Sequence, residues 1–182
     1  AACPQRVERL LAIEALGALA EAPEHTVSRM REAVLAHRGL KDKRLRVFPD
    51  VDSAVRTRQY ASRVPGSGLD EASVRLLVER GLREVDAGDG TIGYEWSSDP
   101  RLTLPTMTRM TEPQVEDLVA GIECPVRAIF ADPAQSYLPD ALRRRRAALL
   151  PQGELVVIAG GHHLHMQQAA EVAAAIGDFF TA

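Results

Sequence analysis

Three of the five histidines of this sequence fall within four positions, in residues 160–165 (GGHHLH). An imidazole titrates near neutral pH, so it can act as a general base, and it is also a common metal ligand. Consecutive His162 and His163 cannot both bind one ion comfortably without carboxylate or thiolate partners, so we expect no metal site. The two preceding glycines allow a sharp turn that presents His162 to a reacting group, which makes it the candidate general base.

The other two histidines of this stretch are predicted to line a pocket or to serve the structure. His163 and His165 alternate with the apolar residues Leu164 and Met166. This alternation favours a half-buried position beside the base, and we take His165 as a candidate substrate-binding residue.

The elements around the histidines alternate between strand and helix. We predict strands at 126–130 and 154–159, each followed by a helix, at 139–150 and 166–180. An earlier strand at 7–13 is apolar at nearly every position, as is typical of a strand buried on both faces. This pattern predicts an α/β fold whose parallel sheet carries its active site at the carboxyl edge.

A block with helical periodicity separates the first strand from the others. Helices are predicted at 25–40, 50–64, 69–85 and 111–121, with a short strand at 91–96. We therefore divide the chain into a first core segment at 1–20, a helical cap at 21–121 and a C-terminal core at 122–182.

Composition argues against several classes of partner. A net charge of −3 gives no general attraction for nucleic acid or anionic lipid. The run of four arginines at 143–146 is expected mostly to face water. No apolar run approaches the ~20 residues that span a bilayer, and the first residues do not form a leader, so we expect a cytoplasmic protein without a membrane partner. Cys3 and Cys124 lie far apart, and we expect reduced thiols.

Three stretches carry a resemblance to a known family: residues 4–17 (PQRVERLLAIEALG), 97–102 (SSDPRL) with 111–132 (TEPQVEDLVAGIECPVRAIFAD), and 155–180 (LVVIAGGHHLHMQQAAEVAAAIGDFF). The chain resembles the C-terminal half of an α/β-hydrolase of the serine hydrolase-like branch, similar to haloalkane dehalogenases and epoxide hydrolases. The resemblance implies a partial parallel α/β-hydrolase sheet with an inserted helical cap.

The resemblance also implies roles for particular residues. His162 follows the last strand, where the family has its base. The acid that orients the base has two candidates, Glu14 after the first strand, which we prefer, and Asp132 after the second. In the cap, Trp96 and Met107 are candidate substrate-binding residues. No metal or organic cofactor is implied.

The nucleophile that the family requires is not found among these residues. Such enzymes present it on a strand-turn-helix elbow of the type G-x-S-x-G, or with Asp for Ser. The stretch 65–69 (PGSGL) lacks that spacing and the preceding strand. We therefore expect a hydrolase of small esters or related carbon–heteroatom bonds that is inactive alone and is completed by an N-terminal half. The alternative is a non-catalytic protein-binding or oligomerisation module that associates through its sheet edge.

Overall fold

The computed structural model describes residues 1–40, 45–61, 68–88 and 90–181. They form two compact units. The sheet unit comprises Ala1–His25 and Arg109–Ala182, and the helical unit comprises Thr26–Thr108. Positions 62–64 of the predicted second helix, and residues 65–67 of the PGSGL stretch, lie outside the described residues.

The helices and strands are numbered here in chain order. They are β1 (Leu10–Ile13), α1 (Thr26–Gly39), α2 (Val51–Ala61), α3 (Glu71–Gly81), β2 (Leu82–Asp86), β3 (Ile92–Trp96), α4 (Glu112–Ala120), β4 (Val126–Asp132), α5 (Asp140–Ala147), β5 (Gly153–Ala159), α6 (Leu164–Gln167) and α7 (Ala169–Ile176). No helix in the described ranges has the length and apolar character needed to cross a membrane.

The sheet unit is built on three parallel strands in the order β1-β4-β5. Ala128 of β4 lies beside Ala12 of β1 on one side and Leu155 of β5 on the other. All three strands therefore end at the same edge of the sheet. This arrangement confirms the predicted α/β fold with a partial parallel sheet.

The central strand β4 supplies both cores of the sheet unit, because its side chains alternate between the two faces. Val126, Ala128 and Phe130 pack on one face with residues of α4. Ile129 and Ala131 pack on the other face with residues of α6 and α7. Burial on both faces explains why this strand is apolar along most of its length and was predictable from the sequence.

The helical unit has its own small core. Phe48, Ala54 and Val55 pack with Val74 and Val78. Helices α2 and α3 carry most of these residues, and the antiparallel pair β2 and β3 flanks them. Among the described residues of this unit, α1 begins and ends close to its predicted limits, α2 begins close to its predicted start, and α3 ends early.

The predicted helix at 69–85 ends at Gly81, and the remaining residues form β2. Pairing with β3 explains the change, since the backbone groups of 82–86 bond to those of 92–96. The predicted helix at 166–180 is also divided, because Gln168 has non-helical backbone angles between α6 and α7.

The boundary of the helical unit also differs from the predicted cap. Helix α4 was placed in the cap at 21–121, but Val115 and Val119 are buried in the core of the sheet unit. Two apolar residues four positions apart form one face of the helix, and the sheet covers that face.

The expectation that the arginine run mostly faces water was wrong for half of it. Arg143 and Arg146 are each 1% exposed, whereas Arg144 and Arg145 lie at the surface. The guanidinium of Arg146 donates to both carboxylate oxygens of Glu112, at 2.8 and 2.7 Å. Residues three positions apart share a helix face, so the first and last members of the run are buried with hydrogen-bonding partners.

Candidate active site

Glu14 and His162 meet at the carboxyl edge of the sheet. Glu14 directly follows β1, and His162 lies three residues beyond the end of β5. Glu14 Oε2 is 2.9 Å from His162 Nδ1. The two side chains are 148 positions apart in sequence, so the pair exists only because the parallel strands end together.

Glu14 is held firmly by the backbone around it. Its φ is 53°, in the left-handed region that non-glycine residues rarely adopt. Its N–H donates to the Ile129 carbonyl at 2.9 Å, and its carboxylate Oε1 accepts the N–H of Ala131. The side chain is only 6% exposed. The carboxylate is thus fixed with one oxygen on β4 and the other on the imidazole.

The turn that carries His162 is fixed by its own contacts. The N–H of Gly160 donates to the Asp132 carbonyl at 3.0 Å. The Gln168 amide group donates to the Ala159 carbonyl at 2.8 Å and lies where a Cβ on residue 160 would be. A side chain at position 160 would displace Gln168, so the first of the two glycines is needed for this packing.

The Glu14 contact decides which nitrogen of His162 carries the proton. A carboxylate only accepts hydrogen bonds, so Nδ1 is the protonated nitrogen of the neutral ring. Nε2 then keeps its lone pair, and the ring is one-third exposed. This is the arrangement in which a carboxylate orients a histidine and stabilises it when Nε2 takes a proton.

Asp132 is not brought to His162. Its side chain is 68% exposed, and its ion-pair contact is with Arg143, at 3.9 Å. Of the two candidate acids, the structure therefore joins only Glu14 to the imidazole.

The remaining predicted residues are divided between the two units. The His163 ring centroid is 5.0 Å from that of His162, and the His165 ring is 6.1 Å from that of His163. Trp96 and Met107 belong to the helical unit. There Trp96 packs against the apolar core and lines an open pocket with Leu77. In the described ranges, no three histidine, cysteine or acidic side chains are placed to hold a metal ion.

Two residues near the pair were missed from the sequence. The Tyr137 hydroxyl lies 3.2 Å from His162 Nδ1 and 3.5 Å from Nε2. Arg143 donates to the Ala131 carbonyl and bonds Asp140 at 2.8 Å. Both line a crevice beside Glu14. The spacing of Arg143 and Arg146 was a usable signal for burial, whereas nothing in the local sequence marks Tyr137.

Burial, and after it the negative charge of Glu14, raises the pKa of Tyr137 above its ordinary value of 10.0. The side chain therefore stays a neutral phenol throughout the physiological pH range. It can both donate and accept a hydrogen bond beside the imidazole.

No protein-family model matches the sequence, and no curated protein matches it significantly. Solved structures do match it. A hypothetical protein from Pseudomonas aeruginosa PAO1 is 30% identical with a TM-score of 0.83, and the match covers 100% of this chain and 61% of that one. A thioesterase domain from the curacin biosynthetic pathway is 22% identical with a TM-score of 0.70, over 96% of this chain and 59% of that one.

An M. tuberculosis esterase is 16% identical with a TM-score of 0.63, and the match covers 99% of this chain and 57% of that one. The chain has a partial α/β-hydrolase fold. It spans about 60% of the length of the solved structures that it matches. The α/β-hydrolase resemblance drawn from the sequence is thereby confirmed at the level of fold.

Proposed function

We propose that this partial α/β-hydrolase contributes the general base and its orienting acid to a hydrolase of small esters or related carbon–heteroatom bonds. His162 is the base and Glu14 is the acid. The hydrogen bond of 2.9 Å between Glu14 Oε2 and His162 Nδ1 is the observation that carries the proposal. The esterase and thioesterase folds among the similar structures support the hydrolase class.

The chemistry assigned to the pair is proton transfer. His162 Nε2 takes the proton of a nucleophilic hydroxyl or of a water molecule as the new bond to the substrate forms. The resulting imidazolium is stabilised by the Glu14 carboxylate at Nδ1 and returns the proton to the leaving group. A pair of this kind needs no metal or organic cofactor.

The nucleophile is assigned to residues outside this sequence. Its 182 residues contain no G-x-S-x-G or G-x-D-x-G stretch. We propose that an N-terminal half of the fold, on the same polypeptide or on a separate one, supplies the nucleophile elbow and pairs with the sheet. Trp96, Met107 and His165 remain candidate substrate-binding residues, and a small-molecule substrate and a cytoplasmic location remain predictions from the sequence.

The first experiment measures hydrolysis of p-nitrophenyl acetate by the 182-residue chain and by its His162→Ala variant, after subtraction of free-imidazole catalysis. We expect equal, background-level rates. Saturable turnover that requires His162 would place a nucleophile within these residues and overturn its assignment to another segment.

The second experiment supplies the missing part. The segment of the Pseudomonas aeruginosa protein outside the match is fused ahead of this chain, and the same ester is tested. We expect saturable hydrolysis that falls by at least about 100-fold in Glu14→Gln, the size of a general acid–base contribution. The matched variant Asp132→Asn should retain activity. Equal losses in the two variants would contradict the choice of Glu14.

A second function is favoured by the open sheet. In the described part of the chain, β1 and β5 each have one neighbouring strand, so each leaves a row of backbone groups for pairing. Such an edge suits a binding or oligomerisation module that pairs with an N-terminal hydrolase half or with a second copy. Sedimentation of the 182-residue chain tests self-association, and a monomer at all concentrations would contradict it.

A further inference from the structure

We propose that Tyr137 is a positioning residue for His162, holding the imidazole in one orientation in both of its protonation states. This inference rests on the proposed role of His162 as a base. It concerns the stretch from the end of β4, where Asp132 lies, to the start of α5. That segment brings a phenol to the histidine, and its carboxylate stays at the surface.

The position of the hydroxyl relative to the ring carries the proposal. It is nearly equidistant from the two nitrogens, at 3.2 Å from Nδ1 and 3.5 Å from Nε2. The phenol and imidazole rings are perpendicular, with centroids 6.0 Å apart. Since Glu14 already accepts the Nδ1 proton, the hydroxyl can donate to Nε2 when the ring is neutral and no nucleophile lies against it.

A hydroxyl is suited to this task because it is both donor and acceptor. When the imidazole gains a proton, Nε2 becomes a donor, and the same hydroxyl can rotate to accept from the ring. A carboxylate in this place could accept a hydrogen bond from the protonated ring only, and a phenylalanine could form a hydrogen bond with the ring in neither state. The titratable groups facing His162 in the described ranges are Glu14, Tyr137 and His163.

The chain around Tyr137 is anchored, which restricts the movement of its side chain. The next residue, Leu138, is 6% exposed and belongs to the core of the sheet unit. Its N–H donates to the Gln135 carbonyl at 3.0 Å. Beyond it, α5 is tied to the end of β4 by the hydrogen bond from Arg143 to the Ala131 carbonyl. The phenol thus extends from a segment that is held on both sides.

The test is an NMR experiment on the 182-residue chain, so it does not require the nucleophile. The ring ¹⁵N signals of His162, assigned with His162→Ala, are recorded in the wild type and in Tyr137→Phe, at pH values on both sides of the titration of the ring. The change removes one oxygen atom from a half-exposed side chain, and the amide spectrum checks that the fold is intact. Tyr60→Phe, which removes the same atom from the helical unit, is the control.

We expect Tyr137→Phe to shift the His162 Nε2 signal in both states. We also expect it to speed the exchange of the Nδ1 proton with water about fivefold, the factor for a net hydrogen bond of about 1 kcal/mol. The control should change neither. Unaltered His162 signals in Tyr137→Phe would overturn the proposal.

Glu14→Gln separates this inference from the proposed function. If Glu14→Gln leaves the same nitrogen of His162 protonated, the proposed role of Glu14 as the orienting acid is refuted, irrespective of the result for Tyr137→Phe. If Glu14→Gln alters it and Tyr137→Phe does not, the pair stands and the positioning role of Tyr137 is refuted.

Discussion

Replacing Arg146 by alanine tests the buried ion pair that ties α5 to the rest of the sheet unit. The Arg146 side chain is 1% exposed. It donates to both carboxylate oxygens of Glu112 at the start of α4, and to the Leu16 carbonyl at 2.7 Å just beyond β1. Its neighbour Arg145 contacts the same helix, but its side chain is 57% exposed. The two arginines form a matched pair that differs mainly in burial.

The expected losses of stability differ several-fold. Removing one partner of a buried ion pair costs about 3–5 kcal/mol, because the other charge is left uncompensated. Glu112 is 23% exposed and keeps a contact with Arg145 at 3.5 Å, so its charge is only partly uncompensated, which favours about 3 kcal/mol for this pair. The unpaired Leu16 carbonyl adds about 1 kcal/mol. We expect about 4 kcal/mol for Arg146→Ala and less than about 1 kcal/mol for Arg145→Ala, the usual value of a surface pair.

Hydrogen exchange of the β4 amides is the appropriate assay. The single tryptophan, Trp96, lies in the helical unit, whereas the β4 amides report on the sheet unit directly. A loss of about 4 kcal/mol in the opening free energy speeds exchange of the slowest β4 amides by roughly 1000-fold. Equal exchange in the two variants would refute the assignment of stability to the buried arginine.

Three further changes have defined outcomes. The Arg146 guanidinium bonded to Glu112 holds the pKa of that carboxyl below its ordinary value of 4.5. The stability that the ionised carboxylate contributes is therefore present above pH 4.5 and is lost as the pH falls through the lowered pKa. Between about pH 6 and about pH 3, the free energy of unfolding measured in urea should fall more for the wild type than for Glu112→Gln. Gly17→Ala should destabilise the sheet unit by about 1–3 kcal/mol in the same exchange assay, because the residue has a φ of +81° and its Cβ would lie 2.6 Å from Val115. Gly81→Ala should alter the emission of Trp96, whose ring would be 2.7 Å from the new Cβ, and an unchanged spectrum would contradict that packing.

The sheet could be predicted from the sequence because its strands are apolar over continuous runs. Once β1 and β5 were assigned to one parallel sheet, Glu14 and His162 had to emerge at the same edge. The choice between Glu14 and Asp132 could not be made from strand positions, since both follow strands. It depends on the direction of each side chain. Glu14 has a left-handed backbone and its carboxylate meets His162, whereas the Asp132 carboxylate lies at the surface.

Other features were out of reach because they depend on partners distant in sequence. Residues 82–86 continue a helical pattern, and only the strand at 92–96 makes them extended. Tyr137 is one of three tyrosines and has no local signal. The spacing of Arg143 and Arg146 indicates a shared helix face, but the partner of Arg143 is the Ala131 carbonyl, a backbone group that no side-chain pattern reports.

Ala131 makes two contacts of this site through its main chain, so these contacts do not depend on its side chain. Its N–H binds Glu14 and its carbonyl binds Arg143, so a residue without a functional side chain connects the acid to the buried cation. Every residue type except proline supplies the same two groups. A substitution that fits the buried, apolar space at this position would leave both contacts in place, so a scan of side chains would score position 131 only for how well the new side chain packs there. One of the hydrogen bonds that hold the Glu14 carboxylate is therefore made by the main chain. Replacing Ala131 by another residue of similar size, proline excepted, does not remove it.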